Sequence, residues 1–273
     1  MLNTDTELSA SESSNNVNDK YFKMMIASVD EAPPVMPLVH TCDCFTLRNI
    51  VNSKLLEPSL CPVFNENLVY YFYGRPSYRL GDKGLAFNTS SVYPACFIID
   101  PTEVNVLTRV FPFDSGAYAA GLYEKHIHKK AKKEDYQFET SYEFIQKFVK
   151  FFYDSNSNYF DGKTTIQRNE IQPCAYELES IYSLINTPHG EQFDDRCYTI
   201  EIQSSAPTQI DGKSLRAIVI PDSIAADEVL ASFLYDNEIE AITYTTTRVA
   251  PSQLTPLVIA KVRDFYLNKG VIQ

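Results

Sequence analysis

The sequence predicts an α+β fold, and three observations carry that reading. Strand-like and helix-like stretches are mixed along the chain without a steady βαβ rhythm. No internal repeat marks a solenoid or a propeller. The chain has 273 residues, 44% of them apolar, enough to bury a substantial core. We expect one domain over residues 21–273, behind a disordered acidic tail at 1–20 that is rich in Ser, Asn, Asp and Glu.

The elements follow in order. "YFKMMIASV" (21–29) is apolar enough to dock on the body, and "EAPPVMP" (31–37) is a stiff connector. "PLVHTC" (37–42) is a short buried strand. Leu47, Ile50, Val51, Lys54 and Leu55 then follow helical spacing, with Asp43 or Thr46 as the N-cap. "NEN" (65–67) is a turn, and "LVYYFY" (68–73) is a strand of aromatic residues that "GRP" (74–76) breaks. "ACFIID" (95–100) is a buried strand ended by Pro101, and a loop-rich stretch follows.

"TSYEFIQKFVKFFY" (140–153) is an amphipathic helix, with Tyr142, Ile145, Phe148, Val149 and Phe152 on one face. "CAYELESIYSLI" (174–185) is a second. "CYTIEIQ" (197–203) alternates as a strand, and "LRAIVIP" (215–221) is a buried one. "SIAADEVLASFLYD" (223–236) reads as a capped helix and "AITYTT" (241–246) as a strand. "PSQLTPLVIAKVRDFYLNKG" (251–270) is a closing helix stopped by Gly270.

Composition narrows the function. A formal charge of −11 argues against a whole-protein role in coating nucleic acid. No apolar run is long enough for a membrane span, and the first residues lack the pattern of a signal peptide, so the expected setting is the cytoplasm. The six cysteines are then expected to be reduced, and they form no CxxC pair. The nine glycines are spaced neither as GxGxxG nor as a P-loop. A nucleotide, if one binds, must be held by side chains.

Several clusters are candidates for chemistry. His40, Cys42 and Cys44 alternate, so a continuous strand would put them on one face, where they could ligate a metal with Cys61. Small buried cysteines are the commoner use of such residues, and no metal is expected. "YYFYGRPSYR" (70–79) is the most unusual stretch. Its Arg75 and Arg79 could hold phosphate, and Tyr71, Tyr73 or Tyr78 could stack on a planar ring. An aromatic core strand with ordinary ion pairs is the alternative.

"FPFDSGAY" (111–118) is a capping turn around Asp114, or else a loop in which Asp114 and Ser115 bind something. "EKHIHKKAKKED" (124–135) is a charged face, with contact to nucleic acid or an acidic partner as the lesser reading. Glu201, between Ile200 and Ile202, is either a solvent-facing strand residue or the carboxylate of glycosidic chemistry.

Together these stretches resemble the ADP-ribosyltransferase fold, most closely its His-Tyr-Glu branch and the DarT-like toxins. "VHTCDCFTLRNIVNSKLLEP" looks like the family's opening strand with His-Thr. "LVYYFYGRPSYR" looks like its tyrosine strand, and "CYTIEIQ" like its late strand with a glutamate. The resemblance covers roughly residues 36–100 and, loosely, 195–246.

It implies a split central sheet with flanking helices, and NAD as substrate without a metal. His40, with Thr41 beside it, would then bond the nicotinamide ribose, and Tyr71 or Tyr73 would stack on nicotinamide. Glu201 would grip the ribose 2′-hydroxyl, with Glu179, Glu238 and Glu240 as competing carboxylates. Arg75 or Arg79 would hold the pyrophosphate, and Tyr78 lies in the same binding stretch.

The implied activity is ADP-ribose transfer to a protein or nucleic-acid acceptor, or NAD hydrolysis, as in a toxin or defence effector. Two other classes stay open. One is a non-catalytic module that binds a nucleotide or phosphate. The other is a protein-interaction component that uses the tail and the lysine run.

Overall fold

In the computed structural model the described residues are 15–77, 89–186, 194–247 and 249–273. Helix α1 (Asn15–Ala27) precedes strand β1 (Leu38–Asp43) and helix α2 (Cys44–Ser53). Strands β2 (Leu55–Leu56), β3 (Ser59–Cys61), β4 (Glu66–Tyr73), β5 (Pro94–Ile99) and β6 (Arg109–Phe111) follow. Helices α3 (Ser115–Ala119), α4 (Tyr142–Tyr153), α5 (Asn156–Phe160) and α6 (Tyr176–Asn186) come next. The last part holds β7 (Glu201–Ser204), β8 (Thr208–Gln209), β9 (Leu215–Pro221), α7 (Glu228–Asp236), β10 (Glu240–Tyr244) and α8 (Thr255–Lys269).

The strands build an eight-stranded mixed sheet in the order β10-β9-β5-β1-β4-β7-β6, with β3 joined to β4. Only the β10–β9 pair is parallel among these ladders; the others are antiparallel. This is a single α+β domain. Strand β5 is buried along its whole length, as expected of a continuous apolar run near the centre of a sheet. Helix α8 covers β5, β9 and β10 with Val258, Val262, Phe265 and Tyr266. Helix α4 buries Phe144, Ile145, Phe148, Val149, Phe152 and Tyr153, and α1 packs on it, the Phe22 ring meeting that of Phe144.

One irregularity matters for function. β1 pairs with β5 over all six of its residues, Leu38 to Asp43. With β4 it pairs only at Leu38–Tyr73 and Val39–Phe72. Beyond Val39 the two strands part, and the sheet opens.

Local boundaries differ from the sequence reading for identifiable reasons. Helix α1 begins at Asn15, inside the stretch read as tail; residues 1–14 lie outside the described residues. Asp43 is the N-cap of α2, accepting from the Thr46 amide at 2.7 Å. That cap puts Cys44 on a helix, so it does not continue the alternation of His40 and Cys42. β7 starts only at Glu201, because a one-turn 3-10 helix occupies Asp195–Cys197. α7 starts at Glu228, where the Asp227 side chain caps it. The loop-rich stretch after Pro101 contains β6 and α3.

Candidate functional site

The opening between β1 and β4 is a cavity of about 770 Å³. That lies within the range of small-molecule sites. Residues 55–63 form one wall, and the others carry His40, Tyr70, Phe72, Asp114 and Glu201.

His40 stands where the strands part. Its Nδ1 lies 2.8 Å from the Tyr70 carbonyl oxygen, across the gap. Burial lowers its pKa, so the ring is neutral at physiological pH. A carbonyl can only accept, so Nδ1 carries the hydrogen and Nε2 is left as an acceptor. Thr41 also lines the cavity, and pairs in register with Cys96.

Among the described residues, Tyr70 is the tyrosine that lines this space. Its hydroxyl donates to the Cys61 sulfur at 2.6 Å, and burial followed by that bond raises its pKa. Tyr71 and Tyr73, expected to stack on a ligand, are fully buried on the other side of β4. The Tyr71 hydroxyl bonds Thr208 Oγ1 at 2.7 Å, and the Tyr73 hydroxyl accepts from the Met36 amide at 2.9 Å. Alternation along a strand is the cause: Tyr70 and Phe72 share one face, Tyr71 and Tyr73 the other.

Glu201 pairs in register with Phe72 of β4, so both side chains lie on the cleft face. Only 1% of it is exposed. Its Oε2 accepts from the Ser115 amide at 3.0 Å, and its Oε1 from the Ser115 hydroxyl and Gln203 Nε2, each at 2.7 Å. Burial, and then the Asp114 carboxylate, push its pKa up to about 7 against those bonds. Asp114 is raised by burial too, while its Oδ1 caps α3 by accepting from the Ala117 amide at 2.6 Å. The stretch read as a capping turn or a binding loop forms the capping turn, and its Asp114 and Gly116 line the cleft.

The other expected residues lie elsewhere. Arg75, expected to hold phosphate, does not line the cleft. Its guanidinium is buried in an ion pair with Asp195, donates to the Phe160 carbonyl at 3.1 Å and packs over the Tyr198 ring. Tyr78 and Arg79 lie outside the described residues. Among the competing carboxylates, Glu179 pairs with Arg168 and Glu240 with Lys269, and Glu238 sits in a turn at φ 54°. None of these three lines the cleft.

The cysteines at β1 are packing residues. Cys42 and Cys44 are buried, and burial raises both thiols, Cys44 to about 12. Neither is a thiolate at neutral pH. Among the described residues no group of His, Cys, Asp and Glu is arranged to hold a metal. His126, in the lysine-rich stretch, bonds Ser183 Oγ at 3.0 Å and does not line this cleft.

Sequence reasoning missed Tyr70, Ser115 as a partner of Glu201, and Gln203. Gln203 carried a signal, since it lies two residues from Glu201 on the same face. No helix among the described residues is long and apolar enough to cross a membrane. No family model, curated protein or solved structure matches the chain.

Proposed function

We propose that the cleft cleaves the nicotinamide–ribose bond of NAD, in ADP-ribose transfer or in hydrolysis. One observation carries this reading. His40, Tyr70 and Glu201, remote in sequence, line one cavity at the point where the central sheet splits.

The chemistry suits these groups. The nicotinamide of NAD is a cationic ring, and the Tyr70 aromatic ring offers it a negative face. The cavity wall also carries the carboxylates of Asp43, Glu57, Asp114 and Glu201, which favour the cationic end of the molecule. His40 Nε2 accepts a hydrogen bond from a ribose hydroxyl. When the C1′–N bond breaks, its electron pair goes to the ring nitrogen and neutral nicotinamide leaves. Positive charge develops on the ribosyl carbon, and ionised Glu201 stabilises it. Water or an acceptor nucleophile then takes the ribosyl group and gives up a proton.

Calorimetric titration with NAD tests the first half of this scheme. Wild type should bind NAD, and His40→Ala should weaken binding by about tenfold, the worth of one hydrogen bond in a buried site. Binding without nicotinamide release would favour a nucleotide-recognition module instead. No binding would remove the proposal.

A further inference from the structure

We propose that Ser115 is the positioning residue of this site, its hydroxyl and its backbone amide together fixing the Glu201 carboxylate against the ligand. The inference deepens the reading above and rests on it for its catalytic meaning.

The geometry is specific. One residue engages both oxygens of one carboxylate: the Ser115 amide reaches Oε2 at 3.0 Å and its hydroxyl reaches Oε1 at 2.7 Å. Two donors from a single residue fix the carboxylate plane as well as its place. Gln203 closes the triangle, donating to Glu201 Oε1 at 2.7 Å and to the Ser115 hydroxyl at 3.2 Å. The hydroxyl therefore accepts from Gln203 while it donates to Glu201. Ser115 is itself 1% exposed, so water does not compete for these bonds.

Ser115 is held in turn by its neighbour. The Asp114 carboxylate caps α3 by accepting from the Ala117 amide, which locks the turn that carries Ser115. Asp114 is the charged group that acts on Glu201, and Tyr70 from β4 in turn feels the Glu201 charge. His40, Cys42, Asp43, Glu57 and Cys61 are the other titratable groups among the described residues that line the same cavity, the His40 ring lying with its edge toward Tyr71. Burial and Asp114 both favour the protonated form of Glu201, and the bonds from Ser115 and Gln203 oppose them. Removing the hydroxyl therefore disfavours the anion that the chemistry needs.

The experiment follows the side-chain carboxyl of Glu201 by carbon NMR from pH 4.5 to 9, the signal being assigned by its loss in Glu201→Gln. Ser115→Ala should raise the titration midpoint by about one pH unit, leaving about tenfold less carboxylate at mildly acid pH. Ser115→Thr, which restores a hydroxyl, should return the midpoint to the wild-type value. In NAD cleavage, kcat should lose its low-pH activity in step, with a smaller change in KM.

An unmoved midpoint in Ser115→Ala, or no rescue by Ser115→Thr, would overturn the proposal. Should Ser115→Ala fail to fold, Ser115→Cys carries the same test, because a thiol is a weaker donor in nearly the same volume. A shifted midpoint in a protein that leaves NAD intact would uphold the positioning and remove the NAD reading.

Discussion

Tyr70 and Tyr71 are neighbours on one strand and have opposite surroundings. Tyr70 looks into the cleft, where its ring meets open space and its hydroxyl meets Cys61. Tyr71 is buried on the other face of β4, its hydroxyl bonded to Thr208 and its ring 6.2 Å from that of His40. The same contrast holds for the charged groups near each face. On the cleft side, Glu201 has only uncharged donors for partners among the described residues, and its pKa rises. At the end of β4, Arg75 has an opposite charge in Asp195 and packs as part of the body. A buried charge matched by its opposite makes structure; a buried carboxylate left with neutral donors beside a cavity is poised for chemistry.

Substitutions can break this contrast, and their expected effects fall in a clear order. Arg75→Ala should cost the most stability, roughly 3–5 kcal/mol, because it breaks a buried ion pair. Denaturant unfolding measures it, and a cost under about 1 kcal/mol would place Arg75 in a solvated setting.

Glu201 should leave its mark on the pH dependence of stability. Its pKa is about 7 in the folded chain, up from 4.5. Between those values the folded state holds a proton that the unfolded state releases. Stability from this group is therefore full below about 4.5 and is lost as pH rises through 7. The loss is on the order of 3 kcal/mol, and Glu201→Gln should flatten that fall. Unfolding midpoints across pH 5 to 8 check the slope.

The two tyrosines sharpen the contrast when each is changed to Phe. Tyr71→Phe leaves the buried Thr208 hydroxyl without its partner and should cost about 1–3 kcal/mol. Tyr70→Phe gives up only a bond to sulfur at the cleft wall. It should cost less than about 1 kcal/mol. Equal costs would mean that both faces of β4 are core.

Some of this was legible in the sequence. The helix α4 and the strand β5 follow clear hydrophobic patterns, α8 ends at its Gly270 stop, and the structure holds all three close to where those signals lie. Glu201 stood out because a carboxylate among isoleucines needs a reason. The choice between Tyr70 and Tyr71 did not show, because four successive aromatics, Tyr70 to Tyr73, contain no polar alternation to mark the core face. Arg75 misled because its partner Asp195 is 120 residues away. The split itself is a property of β1 and β4 together, and no local pattern in either strand encodes it.

The most direct test is the rate of nicotinamide release from NAD between pH 5.5 and 8.5, for wild type and Glu201→Gln. The expected result is a wild-type rate that climbs with pH, with a midpoint near 7 as Glu201 ionises, and a flat rate at least about a hundredfold lower in Glu201→Gln. NAD left intact by wild type at every pH, or a Glu201→Gln variant as active as wild type, would contradict it.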